Sequence, residues 1–274
     1  MRRLLFPAVL AGVIVLLGPA GLAAQIDYRN TDDDRPTLVE DAYPIERYAF
    51  ELLLPYRFER ERDGSQAHLS ELEMEHGAFM NAHVGVKALL AAVRSPGSAA
   101  LPADTDWGLA GIRLFGLYNF FTEGPVLPAV SLRGDLGLPV GSLAGDAVRG
   151  MVKLVATRSW GRTRFHANVA RGFGSETEVS SVEPLPRWLW GGAIDRTLFR
   201  QSLLLLGEVY ALEPVGDEPT EINATIGARW QWRPTAVLDV GISRRLRSAV
   251  GPDVALTVGL SHTFAVPGLM PRGR

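Results

Sequence analysis

The side chains best suited to chemistry are five histidines, His68, His76, His83, His166 and His262. The run His166-Ala167-Asn168 puts an imidazole and an amide on one strand face. That pair could serve a serine nucleophile. No serine stands at a fixed short spacing to it, so a catalytic triad is the lesser reading. No His/Asp/Glu cluster has metal-ligand spacing, and HExxH is absent. Asp32-Asp33-Asp34 could hold a cation loosely, but a run of carboxylates in a polar stretch is ordinarily solvated. Arg171-Gly172-Phe173-Gly174 lacks the strand-then-helix context of a phosphate loop. With no cysteine in the chain, disulfides, thiolate chemistry and a lipid-bearing cysteine are all excluded. The expectation is a protein that is not an enzyme and carries no cofactor or metal.

A second set of charged residues is distributed through otherwise apolar stretches. By register it comprises Glu51, His83, Lys87, Arg113, Arg133, Asp135, Arg149, Lys153, His166, Glu208, Arg229 and Asp239. Such residues could pair with one another and brace a narrow interior. They could also line a water-filled path and set its selectivity. Mutual pairing takes the larger share, because a buried charge must be compensated. Glu208 stands out, since Leu203 to Leu206 precede it and Val209 follows, and it calls for an arginine opposite.

The elements that position these charges read as strands. Tyr48, Phe50, Leu52, Leu54, Tyr56 and Phe58 occupy alternate positions, with Arg47, Glu51 and Arg57 on the other face. From Tyr48 to Phe58 the chain advances by about ten residue steps, about 33 Å along the strand or roughly 25 Å of height at a 40° tilt, which matches an apolar band with aromatics at its edges. The alternation recurs at 78–87, 130–138, 148–154, 222–230 and 253–264. It is weaker near 66–76, 107–120, 162–171, 201–213 and 235–246, and weakest at 187–196. These runs predict about twelve strands. Links near Gly77, at Thr122–Pro125, Ser159–Arg162, Arg196–Gln201 and Arg233–Pro234 are short. The intervening ones at Ala91–Asp106, Pro139–Asp146, Arg171–Pro186 and Glu213–Thr220 are longer. That alternation is expected of an outer-membrane barrel with both termini in the periplasm. The fold class predicted is all-β, a closed antiparallel up-and-down transmembrane β-barrel over residues 45–264.

Residues 1–24 read as a secretory signal. Arg2 and Arg3 precede an uncharged apolar run, and small residues allow cleavage after Ala23 or Ala24. Sec-type export to the outer membrane of a Gram-negative-type bacterium is the expected route. Residues 25–44 form a polar, acidic periplasmic segment, expected to be mobile unless something tucks it in. Residues 265–274 form a C-terminal tail. The formal charge of −2 argues against a nucleic-acid partner. Expected partners are outer-membrane lipid, the barrel assembly machinery and a small-molecule solute.

Four stretches carry a resemblance to a known family. They are Arg35-Pro36-Thr37-Leu38-Val39-Glu40-Asp41-Ala42 running into Ile45–Phe58, then Pro128–Val140, Leu203–Tyr210 with its glutamate, and Asp253–Phe264. Together they resemble the outer-membrane β-barrel family named for the MetA pathway of phenol degradation. The resemblance implies a barrel and passive passage of a hydrophobic or aromatic compound, and it brings no catalytic residues. One departure is that Phe264 is followed by ten further residues instead of ending the chain. The expected function is passive transport or binding of a small solute. A structural or interaction protein with a plugged lumen is the alternative, and an outer-membrane hydrolase the third reading.

Overall fold

The computed structural model describes residues 26–31, 35–97, 104–174, 182, 186–214, 219–248 and 251–270. The expected signal at 1–24, the Asp32–Asp34 run and the last four residues of the expected tail lie outside the described residues. Twelve strands close into one antiparallel barrel, each pairing with its neighbours in sequence and β1 with β12. They are β1 (Ala49–Arg60), β2 (Gln66–Phe79), β3 (Ala82–Ser95), β4 (Asp104–Phe121), β5 (Ala129–Leu138) and β6 (Arg149–Trp160). Then follow β7 (Thr163–Phe173), β8 (Trp188–Leu198), β9 (Leu203–Glu213), β10 (Glu221–Arg233), β11 (Ala236–Arg247) and β12 (Val254–Ala265). Closure leaves no open edge, which is the condition for placing a sheet in lipid.

Alternation places apolar side chains outside and polar ones inside. On β6, Val152 and Leu154 are exposed while Lys153, Val155 and Thr157 are fully buried. Exposed aromatics gather at both ends of the outer wall. Phe79, Phe121, Trp160 and Trp232 lie at the end where β1 begins and β12 finishes, here called the terminal end, and Trp107, Phe173 and Trp188 at the far end. Such girdles suit the two polar boundaries of a bilayer.

The strands differ from expectation in a few places. β1 begins at Ala49, because Tyr48 has a left-handed backbone (φ 68°) and belongs to the entering turn. The barrel ends one residue later than expected, at Ala265, and Pro267–Leu269 forms a single 3-10 turn after it. The first short turn is at Met80–Asn81, not at Gly77. Gly77 lies within β2, where a Cβ would stand 2.0 Å from the Glu46 carbonyl oxygen, so glycine there admits the backbone leading into β1. The ambiguous 187–196 stretch is β8, with Trp188 and Trp190 outward and Leu189 inward.

The larger departure is at the N-terminus. The polar segment expected ahead of the sheet instead enters the barrel at its terminal end, turns, and returns to β1. Ile26 donates its N–H to the Pro234 carbonyl at the β10–β11 turn, and Asp41 N–H bonds Thr31 C=O between the two limbs. Arg35, Thr37, Val39, Glu40, Asp41 and Ala42 are all nearly or fully buried.

Candidate functional site

The interior is built around this inserted segment, here called the plug. Polar backbone in a lumen needs partners, and the wall supplies them with side chains. The Glu208 carboxylate accepts the N–H of Leu38 at 3.0 Å and of Val39 at 2.8 Å. Asn168 accepts the N–H of Glu40 and donates to its carbonyl, both at 2.9 Å. Thr157 Oγ1 accepts the N–H of Ala42 at 2.9 Å, and Asn119 Nδ2 donates to the Ala42 carbonyl at 2.8 Å. Each plug peptide from Leu38 to Ala42 is thus held by a wall side chain or by the plug's own opposite limb.

Charge runs through the same contact. Glu40 reaches Arg133 on β5 at 2.8 Å and Lys153 on β6 at 2.9 Å. Arg133 also holds Asp135 at 2.9 Å. Asp41 reaches Arg164 on β7 at 3.0 Å, and Arg164 also binds Asp195 on β8 at 2.6 Å. All of these groups are buried, so their pairing and hydrogen bonds must offset a large desolvation cost. The wall also makes room sterically. A Cβ on Gly227 or Gly241 would stand 2.7 Å from Pro36, and one on Gly191 would stand 2.6 Å from Val39.

Every residue of the predicted lumen set on which the structure reports is on the inner face or turned toward it. Glu51, Lys87, Arg133, Asp135, Lys153, Glu208, Arg229 and Asp239 are buried, and so are His83 and His166. Arg113 and Arg149 line an internal cavity. Arg229 and Asp239 face each other across β10 and β11 at 2.8 Å. Lys87 binds Glu71 at 3.1 Å and Glu73 at 3.6 Å on β2. Besides the two plug N–H groups, Glu208 is hydrogen-bonded with Thr225 on β10 and interacts electrostatically with Arg57 on β1, so the plug backbone joins the arginine that its position calls for. Sequence reasoning missed Glu40, Asp41, Arg164 and Asp195, since acidic residues in a polar leader read as solvated.

The histidine pair takes a structural role. His166 Nε2 lies 2.9 Å from Asp195 and Nδ1 2.9 Å from Thr157 Oγ1, an order that resembles a nucleophile relay. The Thr157 hydroxyl is engaged by the Ala42 N–H and covered by the plug, which leaves no room for a substrate beside it. Asn168 is likewise committed to the plug backbone. Replacing Asn168 by alanine strands two buried peptide groups, each costing about 1–3 kcal/mol. Cleavage of the folded barrel after Glu40 by a glutamyl endopeptidase should then become at least tenfold faster. Equal rates would argue that Asn168 does not hold the plug.

At the rim of the terminal end, Tyr43 O–H donates to Glu123 at 3.0 Å and Ser159 N–H donates to it at 2.7 Å. Burial pushes the Glu123 carboxyl up, but the hydrogen bonds from Ser159 and Tyr43 and the nearby Arg158 outweigh it and hold it below its usual range. A depressed carboxyl contributes stability above its ordinary pKa, which is lost as pH falls through the depressed value. The protection of the Ser159 amide, taken relative to its intrinsic exchange rate at each pH, should therefore be high at neutral pH and fall below the ordinary carboxylate range. Protection that ignores pH across that interval would contradict the assignment.

Beyond the plug tip, toward the far end, the lumen opens into a cavity of about 230 Å³. Leu38 forms part of its floor, and Arg57, Lys87, Arg113 and Arg149 share its wall with Glu59, Glu71, Asp135 and Glu221. Val182, from the link between β7 and β8, packs on Leu89, Ala91 and Ala110 at its margin.

No protein-family model matches the chain, and no curated protein matches it. Solved structures do. An outer membrane channel from Pseudomonas putida F1 superposes with a TM-score of 0.61 at 12% identity, covering 82% of this chain and 98% of that one. The KdgM porin gives 0.51 at 14% identity, with 77% and 99% covered. The NanC porin gives 0.51 at 9% identity, with 78% and 98% covered. The architecture they share with this chain is the closed antiparallel β-barrel.

Proposed function

We propose that this chain is an outer-membrane barrel for the passive passage of a small solute, held shut in the conformation described by its own N-terminal segment. The observation that carries the reading is the division of the lumen. A charge-lined cavity lies in the far half, and the plug fills the terminal half through contacts that are all non-covalent. A wall meant only as a scaffold would gain more from apolar filling, since buried ion pairs are often no better than well-packed hydrophobic side chains. The porin and channel names of the superposing structures agree with passage, and the apolar outer wall with its aromatic ends agrees with a bilayer. On this reading the termini and short turns face the periplasm and the cavity faces outward, after export directed by residues 1–24. Lipid and the barrel assembly machinery are then the expected partners. The resemblance to the MetA-pathway family belongs to the same proposal, and the barrel supports it at the level of architecture.

The test is swelling of liposomes in a small sugar. The full mature chain should swell them slowly, and a chain lacking residues 26–44 rapidly. No swelling from the shortened chain, with its heat-modifiable gel shift intact, would end the channel reading. The density of plug contacts favours one second reading, a permanently plugged structural barrel, and that result would select it.

A further inference from the structure

Buried arginines of the lumen are matched by carboxylates of the chain, as Arg133, Arg164 and Arg229 are by Glu40, Asp195 and Asp239. Three arginines on the outer wall are not. Arg60 on β1, Arg94 on β3 and Arg244 on β11 are exposed, and among the described residues their guanidinium groups make no ion pair or hydrogen bond. They belong to one register row. Arg94 pairs with Gln66, Gln66 with Arg60, Arg60 with Val254, and Val254 with Arg244. Alternation turns the row outward, because Leu90, Ile242 and Val254 share its face and are exposed. Arg60 lies about ten residue steps beyond Phe50, roughly 25 Å higher at the usual strand tilt, at the far edge of the apolar band. The next row down is Trp107, Ala92, His68, Phe58, Leu256 and Ile242, apolar except for His68. Such rows climb across the tilted wall, since register carries Ala236 at the terminal end of β11 to Leu136 near the far end of β5. Arg244 therefore sits lowest of the three and reaches the boundary by extending its stem upward.

The carboxylates nearest the row are engaged or turned away. Glu59 is bound by Arg57 at 2.7 Å, Asp253 by Arg62 and Arg245, and Asp63 accepts from Ser65. Glu61 feels the charge of Arg245, while Asp104 and Asp106 pair with Ser95 and Val93 on the opposite face of the sheet. We infer that this side of the barrel binds phosphorylated lipid headgroups of the leaflet at the far end. One phosphate lies over Gln66 between Arg60 and Arg94, and a second over Val254 between Arg60 and Arg244. Guanidinium is always charged and presents forked donors that match phosphate oxygens. Successive arginines of the row stand about 10 Å apart, two strand spacings, so a headgroup with two phosphates engages more of it than one with a single phosphate. The lipid chains then run down the exposed Leu90, Val86 and Leu72. This inference rests on the outer-membrane reading, in which the far end faces outward, and adds the lipid chemistry that the wall recognises.

Lipid binding can be measured with the plug in place, so the test does not depend on conduction. Native mass spectrometry of the purified full-length barrel, carried in neutral detergent, reads the lipid it retains. The probes are lipid A with two phosphates, the same glycolipid with both phosphates removed, and phosphatidylglycerol with one. Lipid A should be retained at least tenfold better than its dephosphorylated form, with phosphatidylglycerol between them. Arg60→Gln combined with Arg94→Gln should cut lipid A retention at least tenfold. Arg162→Gln, at an exposed turn of the terminal end, should leave it unchanged. Inorganic pyrophosphate in excess should not displace the lipid, because the chains are held on the wall as well. Folding is checked by the heat-modifiable gel shift, and if the double variant does not fold, the comparison of the three lipids on the unaltered barrel decides. Equal retention of the dephosphorylated lipid, unchanged retention in the folded double variant, an equal loss in Arg162→Gln, or displacement by pyrophosphate would overturn the site. Selective retention of lipid A with no swelling by the shortened chain would uphold the site while sinking the channel reading.

Discussion

Replacing Glu40 by alanine is expected to turn a barrel that rarely opens into one that conducts steadily. Glu40 is the carboxylate that Arg133 and Lys153 share, at 2.8 and 2.9 Å, and all three groups are buried when the plug is seated. Removing one partner from such a cluster costs about 3–5 kcal/mol, because the remaining charges stay out of water without their counterion. The cost falls on the seated state alone. Once the plug leaves, water fills the lumen and hydrates Arg133 and Lys153 whether or not Glu40 is present. At about 1.4 kcal/mol per factor of ten, the closed-to-open ratio should fall by roughly two to three orders of magnitude. Planar-bilayer recording of the open fraction measures this directly. Glu40→Gln keeps the shape and one acceptor, so it should fall between the two. An open fraction unchanged by Glu40→Ala would mean that the ion pairs do not govern closure.

Glu208→Leu should give the second-largest effect, by a different route. The Glu208 carboxylate holds two consecutive backbone N–H groups at the plug tip. Leucine offers neither an acceptor, and each stranded donor costs about 1–3 kcal/mol. Part of that is returned, since leucine carries no desolvation cost of its own, and a net of about 2–3 kcal/mol against seating remains. The open fraction should rise by one to two orders of magnitude. Amide exchange at Leu38 and Val39 should accelerate by the same factor, and exchange in the strands should not change. Uniform acceleration through the barrel would show that the substitution damages the wall and not the latch.

The barrel was legible in the sequence because lipid enforces the pattern. Phe50, Leu52 and Leu54 must alternate with Glu51 and Leu53 if one face meets hydrocarbon and the other does not. Even so, Leu53 is buried inside, and only its position in the alternation marks it as inward-facing. The stretch around β8 was obscure for a physical reason. Gly191 faces inward without a side chain because Val39 occupies that space, so the strand's inner face is completed by another part of the chain. The plug itself was hidden by its composition. Glu40 and Asp41 read as solvated residues of a leader, and the groups that justify burying them, Arg133, Lys153 and Arg164, lie far away in sequence. The position of Glu208 showed that it needed an arginine, and Arg57 acts on it, but not that two plug N–H groups would supply its direct hydrogen bonds. Arg113 and Arg149 could be assigned to the lumen by register, whereas their meeting in one cavity needed the closed barrel.

The most direct test of a lumen closed by this segment is a reversible covalent latch. The chain contains no cysteine, so Val39→Cys with Gly191→Cys adds a single possible disulfide. Val39 Cγ2 lies 2.6 Å from where a Cβ on residue 191 would stand, which brings the two Cβ atoms close to the roughly 3.5–4.5 Å that a disulfide requires. The pair is placed in the Glu40→Ala barrel, which is expected to conduct. Oxidation should form the cross-link and silence the channel, and reduction should restore conduction in the same bilayer. A cross-linked barrel that conducts as well as the reduced one, or cysteines that never join, would contradict closure by the N-terminal segment.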